Sequence, residues 1–255
     1  MSPTALTRKG ATLHLYTAED VAVHTPCSII HNFLPASEAN ELLLELLEEA
    51  ETFGRQSIKV FDNIVQSPHS ACFYVDTLEE EQTQRKEYLY NGQYLEDIRP
   101  ITPQMRFVSS KVQLAVNDEI AKRIETHYPG SKKLRFQSPD PWIPNAAFVN
   151  RYQGGAESVG YHSDQLTYLG PRAVIGSLSL GVAREFRVRK IVARDADDSP
   201  IPEGTKKPRR ADIEGQIAIH LPHNSLLVMH AEVRSTPWSI FFLFFVFSIL
   251  LESKF

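Results

Sequence analysis

The stretch Asn150-Arg151-Tyr152-Gln153-Gly154-Gly155-Ala156-Glu157-Ser158-Val159-Gly160-Tyr161-His162-Ser163-Asp164 decides how the rest of this chain is read. His162 and Asp164 stand two apart, and on a strand that spacing turns both side chains to one face. An imidazole and a carboxylate on one face, joined by a distant histidine, make a 2-His-1-carboxylate metal centre with open positions for small molecules. On spacing alone, two polar residues at a strand end give the same pattern, so the pair needs context.

Working outward, the surroundings read as β-structure. Ala146 to Tyr152 alternates loosely, and Ala173 to Leu180 reads as a buried strand of small residues. Glu185 to Val192 sets Phe186 and Val188 against Arg187 and Arg189, as a half-buried strand does. Gln216 to Leu221 and Ser225 to Met229 are two further strands joined by the turn Pro222-His223-Asn224. Between them, Asp195 to Asp212 is a polar connection carrying proline.

The first half is more helical. After a loose start, Cys27 to Leu34 reads as a strand. A helix follows, with Ser37 expected to cap its first turn, Leu42, Leu43, Leu46 and Leu47 as its apolar stripe, and Gly54 as its stop. Gln66 to Arg99 is polar and tyrosine-rich and reads as a long loop or lid, in which Tyr74, Tyr88, Tyr90 and Tyr94 could stack on a base. A second helix is expected from Lys111 to His127, where Val112, Val116, Ile120 and Ile124 recur every fourth residue. Helices followed by short antiparallel strands make an α+β chain with a sandwich or barrel core.

With this context the segment resembles the AlkB family of Fe(II)/2-oxoglutarate-dependent dioxygenases, in particular its eukaryotic nucleic-acid demethylases. The resemblance rests on Asn150-Arg151-Tyr152, His162-Ser163-Asp164, Ser177-Leu178-Ser179-Leu180-Gly181 and Arg184-Glu185-Phe186. Trp142-Ile143-Pro144-Asn145 and Leu221 to Met229 extend it, and it covers roughly residues 28–232. It implies a double-stranded β-helix, or jelly roll, with buttressing N-terminal helices. It implies that His162 and Asp164 ligate Fe(II), and that Asn150 and Tyr152 contact the cosubstrate 2-oxoglutarate. The expected reaction is oxidative demethylation of alkylated DNA or RNA, with the base out of its stack. Arg184, Arg187 and Arg189, with Lys190, Arg194 and the loop Lys206-Lys207-Pro208-Arg209-Arg210, are candidate phosphate contacts.

The chain departs from the family at its end. No histidine follows His230 and no arginine follows Arg234, where the family carries its distal iron ligand and the arginines that hold 2-oxoglutarate. From Trp238 to Leu251 the sequence is almost wholly apolar. Three segments are therefore expected: residues 1–27 as an N-terminal extension, 28–232 as an incomplete dioxygenase domain with its C-terminal strands missing or replaced, and 233–255 as a tail foreign to the family. Val233-Arg234 can be encoded by a splice-donor-like sequence, so the tail is expected to be translated intron. Impaired turnover follows as an expectation. Two other readings stay open: a non-catalytic pseudo-oxygenase that binds nucleic acid or protein, and a tail-anchored membrane protein inserting residues 238–251, a run shorter than a usual span.

Composition agrees with a globular protein. The 255 residues are 42% hydrophobic and 23% charged, and the net charge of −4 disfavours binding nucleic acid by bulk charge. The two cysteines form no Cys-x-x-Cys pair, which excludes a disulfide scaffold and a cysteine-rich zinc site. Met1 to Gly10 has no apolar run behind its basic residues, so no secretory signal is visible, and a nuclear or cytoplasmic location is expected with no obligate protein partner.

Overall fold

A computed structural model describes residues 11–55, 57–60, 63–77, 79, 89–90, 93–94, 97–127, 140–144, 146–159, 174–189, 215–230 and 250–251. Two sheets organise it. The larger has seven strands in the order β2 (Cys27–Ile30), β13 (Ser225–Met229), β10 (Ile175–Ser179), β14 (Leu250–Leu251), β9 (Ala146–Arg151), β5 (Ser70–Val75) and β8 (Ile98–Pro100). The smaller has three: β1 (Thr12–Leu15), β12 (Gln216–Leu221) and β11 (Arg184–Arg189). Two short hairpins, β3 (Ser57–Val60) with β4 (Asn63–Gln66) and β6 (Leu89–Tyr90) with β7 (Gln93–Tyr94), stand apart from both sheets.

Period-2 alternation along these strands builds two cores. On one face of the large sheet, Cys72, Tyr74, Ala147, Val149, Leu178, Leu226 and Val228 pack against helices α2 (Ala36–Ala50) and α3 (Pro103–His127). On the other face, Cys27, Ile29, Ile175, Leu227 and Met229 meet Val188, Ile217, Ile219 and Leu221 of the small sheet. This is a two-sheet β-core buttressed on one side by helices, as expected. The leucine stripe of α2 behaves as expected too: Leu42 and Leu46 are fully buried, with Leu43 and Leu47 packed beside them.

Close packing of α3 depends on one glycine. A Cβ on Gly176 of β10 would lie 3.1 Å from Val116 Cγ2 and 3.2 Å from Val112 Cγ1. Trp142 packs at the same place and ties the helix down. Asn117 of α3 accepts from the Trp142 backbone N–H at 2.9 Å and donates to its carbonyl at 2.8 Å, while the indole N–H donates to the Val174 carbonyl. Asn224, at φ 62°, occupies the left-handed region that asparagine tolerates. Its side chain accepts from the Leu34 N–H and donates to the Leu34 carbonyl, joining the β12–β13 turn to the start of α2.

The structure differs from expectation in five places. Within the segment read as a loose extension, β1 pairs with β12 in parallel and α1 (Ala18–His24) buries Val21. Both elements are too short to show a period. Helix α2 starts at Ala36 with Pro35 at its cap position and no side-chain cap, and it ends at Ala50, before Gly54. Helix α3 begins eight residues earlier than Lys111, at Pro103, because proline is welcome in a first helical turn. The expected loop over 66–99 contains β5, which lies inside the large sheet between β9 and β8. Within it Ala71-Cys72-Phe73-Tyr74-Val75 is a continuous buried run, the pattern of a strand buried on both faces. Tyr74 is consequently fully buried, with its hydroxyl donating to Glu49 at 2.9 Å, and it cannot meet a base. Finally, Leu250 and Leu251 of the apolar tail form β14, which pairs in parallel with both β9 and β10.

Among the described residues no helix is long and apolar enough to cross a membrane.

Candidate active site

Asn150 and Tyr152 both face the space between the sheets. Their neighbours Ala147 and Val149 point the other way, into the helix-backed core, so alternation along β9 turns Asn150 inward. Tyr152 follows two residues on. The Asn150 carbonyl oxygen lies 2.8 Å from His69 Nε2, and His69 Nδ1 lies 2.9 Å from the Ser67 hydroxyl. A carbonyl oxygen cannot donate, so Nε2 carries the proton and Nδ1 accepts from Ser67. The Asn150 amide nitrogen then has no partner among the described residues and is free to donate.

Ring stacking extends the cluster. His69 stacks on Tyr152 with centroids 4.9 Å apart and an interplanar angle of 23°. On Tyr152 also rests the Arg184 guanidinium, 4.6 Å from the ring centroid. Arg184 donates as well to the carbonyls of Gly154 and Glu157. Glu157 accepts from the Gln153 N–H at 2.7 Å and pairs with Arg55, whose other nitrogen donates to the Ser67 carbonyl at 3.2 Å. Burial pushes the Glu157 carboxyl up, but the Gln153 N–H, the Arg55 guanidinium and nearby His69 together hold it below its ordinary value. A chain of contacts thus runs Glu157, Arg55, Ser67, His69, Asn150.

The donors suit an oxygen-rich anion. The Asn150 amide is one, and Arg184 supplies positive charge. Ser179, on the same face of the sheet, has a buried hydroxyl with no partner among the described residues. Leu250 pairs with both Ser179 and Asn150, so these two stand two strand spacings apart, about 10 Å. An orphaned buried hydroxyl costs about 1–3 kcal/mol unless something meets it, and a bound dicarboxylate such as 2-oxoglutarate would.

Of the residues singled out in the sequence, the structure brings together Asn150, Tyr152 and Arg184. His162 and Asp164 lie outside the described residues, as do Lys190, Arg194 and the loop 206–210. Arg187 and Arg189 sit on the opposite face of β11 from Arg184, and Arg187 is bound to Glu185 through two nitrogens. His230, the one histidine near the place of the distal ligand, points away from this cleft. It follows Val228 on the helix-backed side, where its Nε2 lies 3.0 Å from the Ser28 hydroxyl. His69 is the residue the sequence reading missed. Its signal was the two-residue spacing His69, Ala71, Phe73, concealed once the segment was taken as a loop. Neither cysteine offers a nucleophile, since burial pushes both the Cys27 and Cys72 thiols up to about 12.

Two facing sheets with a polar, anion-adapted cleft on the inner face define the jelly-roll oxygenase class. Residues 26–236 match the family described as the 2OG-Fe(II) oxygenase superfamily, and the chain belongs to it. Its cofactors are those of that family, Fe(II) and 2-oxoglutarate. Among curated proteins, the Arabidopsis thaliana DNA oxidative demethylase ALKBH2 is 34% identical over 90 residues, 33% of this chain and 28% of that protein. The Mus musculus and Homo sapiens proteins of the same name are each 30% identical over 118 residues, 40% of this chain and 44% and 40% of theirs. The matched stretch therefore spans less than half the length of these relatives. A solved structure of OsALKBH1 superposes at a TM-score of 0.48 with 11% identity, covering 83% of each chain.

Proposed function

We propose that this chain binds 2-oxoglutarate through Asn150 and Tyr152, ligates Fe(II) through His162 and Asp164, and acts on alkylated nucleic-acid bases by oxidative demethylation. The observation that carries the reading is the Asn150 amide, held by His69 so that its N–H donors face the cleft. Family membership and the DNA oxidative demethylases among the relatives favour DNA as the substrate. Iron with 2-oxoglutarate and dioxygen supplies the oxidation of an N-methyl C–H bond, which acid–base chemistry alone does not reach.

The chain's own residues orient. Asn150 donates to an oxygen of the oxo-acid, and Tyr152, clamped between His69 and Arg184, presents its phenol at a set angle. Arg187 and Arg189, outside the cleft, are the proposed phosphate contacts and take no part in the chemistry. The proposed family-like domain is residues 28–232, with β1 and β14 from outside those bounds joining its sheets, and the proposed location is nuclear or cytoplasmic.

Low turnover is expected of this chain, because His230, the candidate third ligand, lies on the helix side against the Ser28 hydroxyl. The test is calorimetry of 2-oxoglutarate binding in the presence of Mn(II), together with formaldehyde release from a methylated oligonucleotide with Fe(II). Binding lost in Asn150→Ala and in His162→Ala with Asp164→Ala is expected, with little formaldehyde from the parent. Binding unchanged in both variants overturns the site. Binding retained with no formaldehyde at all favours the non-catalytic module, for which the same placement of His230 speaks.

A further inference from the structure

A second cluster of ligating side chains lies on the outer face of the three-stranded sheet. Ile217, Ile219 and Leu221 of β12 point into the core between the sheets, so His220 points away from it. Directly opposite His220 on β11 is Glu185, and from β1 on the other side comes His14. His14 Nδ1 lies 2.9 Å from His220 Nε2, and Glu185 Oε1 lies 3.5 Å from each. Beneath them Ala218, the register partner of both His14 and Arg187, leaves room for the rings to converge.

These distances describe the triangular face of a coordination polyhedron. With metal–ligand bonds of about 2.0–2.2 Å, a tetrahedral zinc ion sets its ligands about 3.3–3.6 Å apart. Small shifts of the two imidazoles would complete the match. The supporting contacts are present as well. Tyr16 stacks on His220 at 4.1 Å and 14°, fixing the plane of the ring. Arg187 takes the other carboxylate oxygen, Glu185 Oε2, through Nε at 2.8 Å and Nη2 at 2.5 Å, leaving Oε1 to a ligand. Such outer partners orient ligands in metal sites generally.

We propose that His14, Glu185 and His220 form a binding site for a divalent transition cation, Zn(II) in particular, separate from the iron centre and structural in effect. The donor set of two imidazoles and one carboxylate suits Zn(II), with the fourth position facing solvent. The bound ion joins the short parallel strand β1 to the β11–β12 hairpin. This proposal stands apart from the assignment of His162 and Asp164, and the experiment keeps the two separate.

The 255-residue chain carrying His162→Ala and Asp164→Ala is titrated with Zn(II), followed by dialysis and metal analysis, and with Co(II), followed by its visible spectrum. One equivalent of Zn(II) is expected in this background, with the intense Co(II) bands of a four-coordinate site. Adding His14→Ala and His220→Ala should remove both signals. Glu185→Gln, which keeps the size and shape of the side chain, should weaken Zn(II) at least tenfold while the circular dichroism spectrum stays that of the parent. No zinc in the background protein, or an affinity unchanged by Glu185→Gln, overturns the proposal.

Discussion

His69 does its work at the scale of one hydrogen bond. Its Nε2–H fixes which way the Asn150 amide faces, and its ring supports Tyr152. It is a positioning residue, so His69→Leu should raise the dissociation constant for 2-oxoglutarate about tenfold, the loss of about 1.4 kcal/mol. His69→Gln, whose amide can still donate to Asn150, should recover most of that loss, whereas a purely structural role would show no such rescue. Calorimetry on the three proteins checks it. Glu157 anchors the far end of the same chain of contacts by charge. Its carboxyl is held below its ordinary value in the folded protein, so the ionised form contributes stability above the unfolded value of about 4.3. That contribution disappears as the pH falls through the folded value. Thermal midpoints of the parent and Glu157→Gln should differ at pH 6 and converge once the pH has fallen through the folded value. Asn150 and Tyr152 stand out in the sequence because a motif names them, and the structure brings them together around His69. His69 was not legible, because nothing local marks a histidine that acts 81 residues away.

Among the elements, the junction of α3 with β10 shows how little space separates a helix from a strand. Gly176→Val would force a branched side chain against Val112 and Val116, already 3.1 and 3.2 Å from a Cβ at that position. The expected cost is about 1–3 kcal/mol. Gly176→Ala should cost less, since a single methyl meets only movable side-chain methyls. Urea denaturation midpoints of both variants measure this, with equal midpoints for parent and Gly176→Val counting against the packing account. The helix stripe at Val112 and Val116 was readable by its period, and the strands β12 and β13 were readable to the residue. The strand β5 was not, because burial on both faces removes the alternation that would mark it.

For the whole molecule, the N-terminal segment carries more of the core than its composition suggested. Leu15 and Val21 are 2% and 0% exposed, and both belong to the core between the sheets. Deleting residues 1–24 would expose that core and free one edge of β12. At about 1.5–3 kcal/mol for each large apolar side chain returned to water, the two residues alone account for about 3–6 kcal/mol. That is a large share of a typical domain's stability. The truncated protein should therefore aggregate or unfold at a much lower temperature, read by scanning calorimetry and size-exclusion chromatography. An unchanged melting temperature would show that β1 and α1 add nothing. Non-local pairing of this kind, Thr12 with Gln216, leaves no trace in either short segment.

Arg151 stands between the two residues assigned to the cosubstrate and faces the other way. Its guanidinium donates to the Ala50 carbonyl at 2.8 Å and to Glu51 at 2.6 Å, at the end of α2. The backbone that presents Asn150 and Tyr152 is thereby bolted through the sheet to a helix on its far side. Vibration or fraying of that helix end becomes play in the cleft, and a ligand that stiffens the cleft must in turn quiet the helix. Amide hydrogen exchange at the last turn of α2 should slow when 2-oxoglutarate binds, although no atom of the ligand comes near it.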